Sequence, residues 1–152
     1  MQIAFTGPRQ LTKAQEHDIH EDFAYFISNH TADWHVGDAP GLDNFVRQAA
    51  PHYNKQLTLY EIEGKQKWHF AARSKRMIDA IADLENPWLY AFPNKPCPDQ
   101  CKPCKSPKGG GSGTWLTIAY AKYRGVQIRI FPLDAIALPS WLEPECKQLN
   151  LF

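Results

Sequence analysis

Apolar residues along this chain fall in short runs, and between the runs they recur every three or four positions. That is the pattern of strands alternating with helices. Residues 2–7 (QIAFTG) form an apolar run closed by Gly-Pro, which predicts a buried strand leading into a loop. Thr12 with Gln15 three residues later has the form of a capping box. Ile19, Phe23, Phe26 and Ile27 then share one helical face, which predicts a first helix ending near Asn29.

The alternation continues. Residues 33–37 (DWHVG) predict a second strand, and 38–50 (DAPGLDNFVRQAA) open with turn residues and become helical until Pro51. Residues 56–62 (QLTLYEI) predict a third strand. A loop holding Gly64 and Trp68 leads to a third helix over 70–84, with Met77, Ile81 and Leu84 as its buried stripe and Arg73 and Arg76 on another face. Residues 88–92 (WLYAF) predict the fourth strand, 112–125 a fourth helix stopped by Gly125, and 126–130 (VQIRI) the fifth strand. Five strands separated by four helices predict an α/β fold, a three-layer sandwich around a parallel sheet, because right-handed crossovers return each strand parallel to the last.

A length of 152 residues suits one domain. It is expected over 1–132, interrupted by a cysteine-rich insertion at 94–108 and followed by an irregular, proline-containing tail at 133–152 packed on the domain. With 43% hydrophobic residues, 22% charged residues and a formal charge of +1, the chain has no global bias toward nucleic acid or anionic membrane, so an anionic ligand must be held by a local feature. No apolar run approaches the roughly 20 residues that span a bilayer, and residues 2–6 are too short and too early for a signal-peptide core. A cytoplasmic protein is expected, in which four cysteines point to free thiols or a metal site before disulfides.

In a parallel α/β sheet, ligands bind outside the carboxyl ends of the strands, where the strand order reverses. The polar and glycine-rich segments of this chain collect at that edge: Thr6–Gly7–Pro8–Arg9 after the first strand, Gly37–Asp43 after the second, Gly109–Thr114 after the fourth, with Arg73 and Arg76 near the start of the helix after the third. Gly109, Gly110, Gly111 and Gly113 let backbone N–H groups approach an anion, and the fourth helix points its positive end at the same place. Arg73 and Arg76 are either a solvated helix face or a clamp for phosphate or carboxylate. Asp38 and Asp43 read as caps or first-turn charges of the second helix before they read as catalytic groups, and Trp68 and Tyr120 read as core or rim residues rather than stacking platforms.

These segments, "TGPR", "GDAPGLD", Trp68 followed by "RSKRMID", and "AFP" with "GGGSGT", resemble the SLOG superfamily. That superfamily includes the lysine-decarboxylase-like phosphoribohydrolases and the DNA-processing protein A fold, and the chain is most similar to its compact YspA-like branch. The resemblance covers Ile3 to about Pro132. It implies a Rossmann-like fold with strand order 3-2-1-4-5, and a nucleotide pocket lined by Gly7, Arg9, Gly37, Asp38, Gly41, Asp43, Arg73, Gly110, Gly111, Gly113 and Thr114, beside which Thr6, Arg76 and Ser112 are further candidates. It also implies a homo-oligomer. Two departures stand out. The insertion separates Phe92 and Pro93 from the glycines, and Thr117 stands near the place where the hydrolase branch carries its glutamate, so hydrolysis falls back on Asp38 or Asp43.

Cys97, Cys101 and Cys104, spaced C-x3-C-x2-C, read either as free thiols or as three ligands of a structural zinc, with Cys146 or a histidine such as His69 as the fourth. A likeness to the cluster motif of radical enzymes that use S-adenosylmethionine conflicts with its position in the fourth crossover. Three functions fit the sequence. The first is a module that binds a nucleotide or nucleotide-derived ligand, as sensor or sequestering protein; the second is a nucleotide N-glycosidic hydrolase. The third is a single-stranded nucleic-acid binder using Lys95, Lys102, Lys105 and Lys108, against which the near-zero net charge counts.

Overall fold

Period-two alternation in the strands divides the apolar residues between the two faces of one sheet. The computed structural model describes residues 1–142. Its strands are β1 (Gln2–Thr6), β2 (Asp33–Gly37), β3 (Leu57–Tyr60), β4 (Pro87–Ala91) and β5 (Gln127–Ile130). They form one all-parallel sheet in the order β3-β2-β1-β4-β5. The helices are α1 (Lys13–Tyr25), α2 (Leu42–His52), α3 (Lys67–Ala82) and α4 (Gly113–Tyr123). The result is the expected Rossmann-like α/β sandwich.

Ile3 and Phe5 of β1 and Trp34 and Val36 of β2 pack with Ile19 and Phe23 of α1 and Leu42 and Val46 of α2. Ala4, Leu89 and Ile128 face the other way, onto Met77, Ile78 and Ile81 of α3 and Ile118 of α4. Each core is built from fully buried side chains, so the sheet is covered on both faces, as parallel sheets require.

Several boundaries differ from the expected ones for local reasons. The capping box of α1 forms as predicted, Thr12 Oγ1 accepting from Gln15 N–H and Gln15 Oε1 from Thr12 N–H. The helix ends at Tyr25, however, and Phe26, with φ −131°, turns the chain into a short 3-10 turn at Ile27–Asn29. Pro51 lies inside α2, because the Tyr53 N–H donates to the Ala49 carbonyl and closes the last turn around it. The third helix starts at Lys67, so Trp68 belongs to its first turn and not to a loop; the Gln66 N–H donates to Nδ1 of His69 there. Leu84 lies past the end of α3 and is 47% exposed, so it is not part of the buried stripe. Residues 131–142 hold no strand or helix. Phe131 and Leu133 pack on the α1–α2 core, and the later residues lie on the α4 side of the domain, where Leu142 is buried and Trp141 meets Trp115 edge to face.

Candidate functional site

β2 and β3 lie on one side of β1, and β4 and β5 on the other, so the order reverses between β1 and β4. The chain leaving β1 folds onto the start of α2. The Leu42 N–H donates to the Pro8 carbonyl at 3.0 Å, and Gly41, the residue that caps α2, has φ +76°. A Cβ on Gly41 would lie 2.3 Å from the Pro8 oxygen. Both its conformation and the space around it therefore require glycine. Arg9 crosses from the same loop to α3, its guanidinium carbon 5.1 Å from the centre of the Phe70 ring.

At the carboxyl end of β2 a charged group is folded inward. Arg73 of α3 is 8% exposed and donates from Nη1 to Oδ1 of Asp38 at 2.5 Å, while Oδ2 of Asp38 accepts from the Ile62 N–H at 3.1 Å. Asp43, in the first turn of α2, is 7% exposed and accepts from the Ala39 N–H at 3.3 Å. Gly37 sits between the two charges. A Cβ there would come within 2.7 Å of both the Arg73 guanidinium carbon and Oδ2 of Asp43. Arg47 completes the turn, donating from Nη1 to the carbonyls of Gly37 (3.0 Å) and Ala39 (2.9 Å).

Burial dominates the electrostatics of Asp43. It pushes the carboxyl up to about 6 against the opposing pull of Arg73, the Ala39 N–H and Arg47, with Asp38 adding to the rise. Asp43 thus changes charge within the range where proton transfer is useful. Nε of Arg73 is buried and has no hydrogen-bond partner among the described residues.

Three expectations are revised here. Asp38 does not cap α2, because Gly41 occupies the cap and both oxygens of the Asp38 carboxylate are engaged elsewhere, whereas Asp43 holds the first-turn place expected for it. Arg73 is not a solvated helix face. Arg76 has partners of its own: its Nη2 donates to the Glu61 carbonyl at 2.5 Å and Nη1 lies 3.5 Å from Glu63, tying down the loop between β3 and α3. Arg47 was missed, although its place one helical turn after Asp43 is a legible signal.

The glycine-rich turn before α4 forms the other half of this edge. Gly110 and Gly111 have φ +56° and +87°, and Ser112 caps the helix, its Oγ accepting from the Trp115 N–H at 3.1 Å. Nothing lies within 4 Å of the place a Cβ would take on Gly111 or Gly113. For Gly111 it is the left-handed backbone, not crowding, that calls for glycine. Thr114 and Thr6 are buried. Thr117 is buried too, and its Oγ1 donates to the Gly113 carbonyl at 2.8 Å, so its hydroxyl hydrogen is used within α4. Among the described residues no hydrogen bond joins this turn to the Asp38–Asp43–Arg73 group. They share the sheet edge.

The cysteine insertion packs against the first turn of α4. Cys101 is 1% exposed and its thiol donates to the Trp115 carbonyl at 3.4 Å, while the Trp115 indole donates to the Lys95 carbonyl at 2.7 Å. Burial pushes the Cys101 thiol up to about 12, helped by its neighbours Cys97 and Cys104. Burial raises Cys97 as well, and Cys104 is exposed. Cys97, Cys101 and Cys104 are free, and among the described residues no group of three His, Cys, Asp or Glu side chains is placed to hold a metal ion. Cys146 lies outside the described residues. His69 is turned to the start of its own helix.

Fold and edge together define a Rossmann-like α/β protein with its polar and glycine-dependent segments gathered at the carboxyl ends of the strands. Comparison with protein-family models, with curated proteins and with solved structures gives no match for this chain. Among the described residues no helix is long and apolar enough to cross a membrane.

Proposed function

We propose that this protein binds a nucleotide or nucleotide-derived ligand at the carboxyl edge of its sheet, as a sensor or sequestering module of the SLOG type. The observation that carries this reading is the meeting of the β2–α2 turn and α3 around the buried Arg73, with the β1 loop packed on the start of α2, on the edge that also holds the open turn before α4. The first-turn N–H groups of α4 suit a phosphate, and the carboxylates at the end of β2 suit ribose hydroxyls as hydrogen-bond acceptors.

A second reading, hydrolysis of a nucleotide N-glycosidic bond, is favoured by Asp43 alone. A buried carboxyl that keeps its proton to about pH 6 is suited to protonate a departing base while water adds to the sugar carbon. The test is to follow nucleotides and dinucleotides by proton and phosphorus NMR with the purified protein. Broadened, unchanged ligand signals support a binding module, and free base with ribose phosphate supports the hydrolase. No effect with any compound of the panel overturns both.

A further inference from the structure

A groove of about 310 Å³ opens between α3 and α4, floored by Ala71 and Ala72 and walled by Trp68, Lys75, Pro107 and Leu116. Alanines at adjacent positions of α3 leave the space, and the insertion closes its far end, where Lys75 Nζ donates to Ser106 Oγ at 3.2 Å. Trp68 is 65% exposed, an unusual setting for so large an apolar ring, and one face of its indole is stacked on His69 at 3.7 Å. The groove adjoins the glycine turn, because a Cβ on Gly109 would lie 3.1 Å from Cβ of Leu116. The Leu116 wall belongs to the first turn of α4, its N–H donating to the Ser112 carbonyl.

Apolar walls, a wide aromatic face and an adjoining helix start make a site for a flat, weakly polar ring carried by an anion. Lys75 at one end, with Lys105 and Lys108 flanking the loop residues of the groove in sequence, gives it the matching charge. We infer that the groove takes the base of a nucleotide, stacked against Trp68, with the phosphate at the adjoining start of α4. This inference rests on the anion-binding reading above and extends it to the choice of ligand. Trp68 then discriminates base-bearing ligands from plain sugar phosphates.

The experiment is calorimetric titration of the full chain with AMP, adenosine and ribose 5-phosphate, repeated for Trp68→Ala, Trp68→Phe and Ala72→Phe. Trp68→Ala is expected to weaken AMP about 10-fold or more, Trp68→Phe by less than about threefold, and Ala72→Phe, which fills the groove, to abolish the preference for AMP over ribose 5-phosphate. Circular dichroism of each variant separates these effects from misfolding. AMP affinity unchanged in both Trp68→Ala and Ala72→Phe overturns the groove, as does equal affinity for AMP and ribose 5-phosphate in the parent, which leaves the anion reading standing. Binding of adenosine lost in Trp68→Ala, with no binding of ribose 5-phosphate, supports the groove and overturns the anion reading. No binding of any of the three overturns both.

Discussion

The Arg73 guanidinium and the Asp38 carboxylate meet at 2.5 Å, and through them α3 is fastened to the end of β2. The arginine side chain is almost fully buried, so the carboxylate is its principal compensation for leaving water. Asp38→Ala strands that charge and also removes the acceptor for the Ile62 N–H. A loss of about 3 kcal/mol in urea unfolding is expected. A loss below about 1 kcal/mol would show that the pair is solvated in practice.

Gly37 and Gly113 form a matched pair of tests. Gly37→Ala drives a methyl group into Arg73 and Asp43, whereas the same change at Gly113 meets open space at the first position of a helix. The first is expected to cost about 1–3 kcal/mol of stability and to abolish nucleotide binding. The second is expected to leave stability unchanged or raise it by about 0.5 kcal/mol. Thermal unfolding of the two variants side by side checks the contrast, and equal melting temperatures would refute it.

Asp43 gives a pH dependence with a definite sign. Its carboxyl sits at about 6 in the folded protein against 3.8 as its ordinary value, so the folded state holds the proton more tightly than the unfolded chain. The resulting stabilisation is complete below about pH 3.8 and is lost as pH rises through about 6, a difference on the order of 3 kcal/mol. Asp43→Asn, which stays neutral, should therefore unfold at higher temperature than the parent at pH 7.5 and at nearly the same temperature at pH 4. A variant less stable than the parent at pH 7.5 would mean that the charge of Asp43 is needed more than its burial costs.

How much of this was legible in the residues follows from what each signal measures. Ile3 and Phe5 against Ala4 announce a strand buried on both faces, and the repetition of such runs between helical stripes was enough for the class of fold. The role of Asp38 was not legible, because its partners Arg73 and Ile62 lie 35 and 24 residues away and only the sheet order brings them together. The start of α3 was missed for a different reason. Gln66 with His69 closes its first turn, and neither residue belongs to the usual capping vocabulary, so Trp68 read as part of a loop.

Thiol reactivity separates Cys104 from Cys101 in the insertion. Cys104 is exposed, whereas Cys101 is buried with its thiol pushed up to about 12. Brief maleimide treatment of the native protein at pH 7.5, followed by peptide mapping, should modify Cys104 at least about 100-fold faster than Cys101. Comparable rates at both positions would show that the insertion opens freely in solution.

The bonds from Cys101 and Lys95 to Trp115 have a further meaning for how this edge tolerates change. Lys95 and Cys101 moor the first half of the cysteine-rich excursion to the turn that begins α4, and Pro98 between them stands where it would meet a Cβ on Gly110. Residues 102–105, with Cys104 exposed, lie beyond the second mooring and form a splice point: a tag or a longer peptide exchanged there leaves the bonds to Trp115 and the Pro98 contact with Gly110 in place.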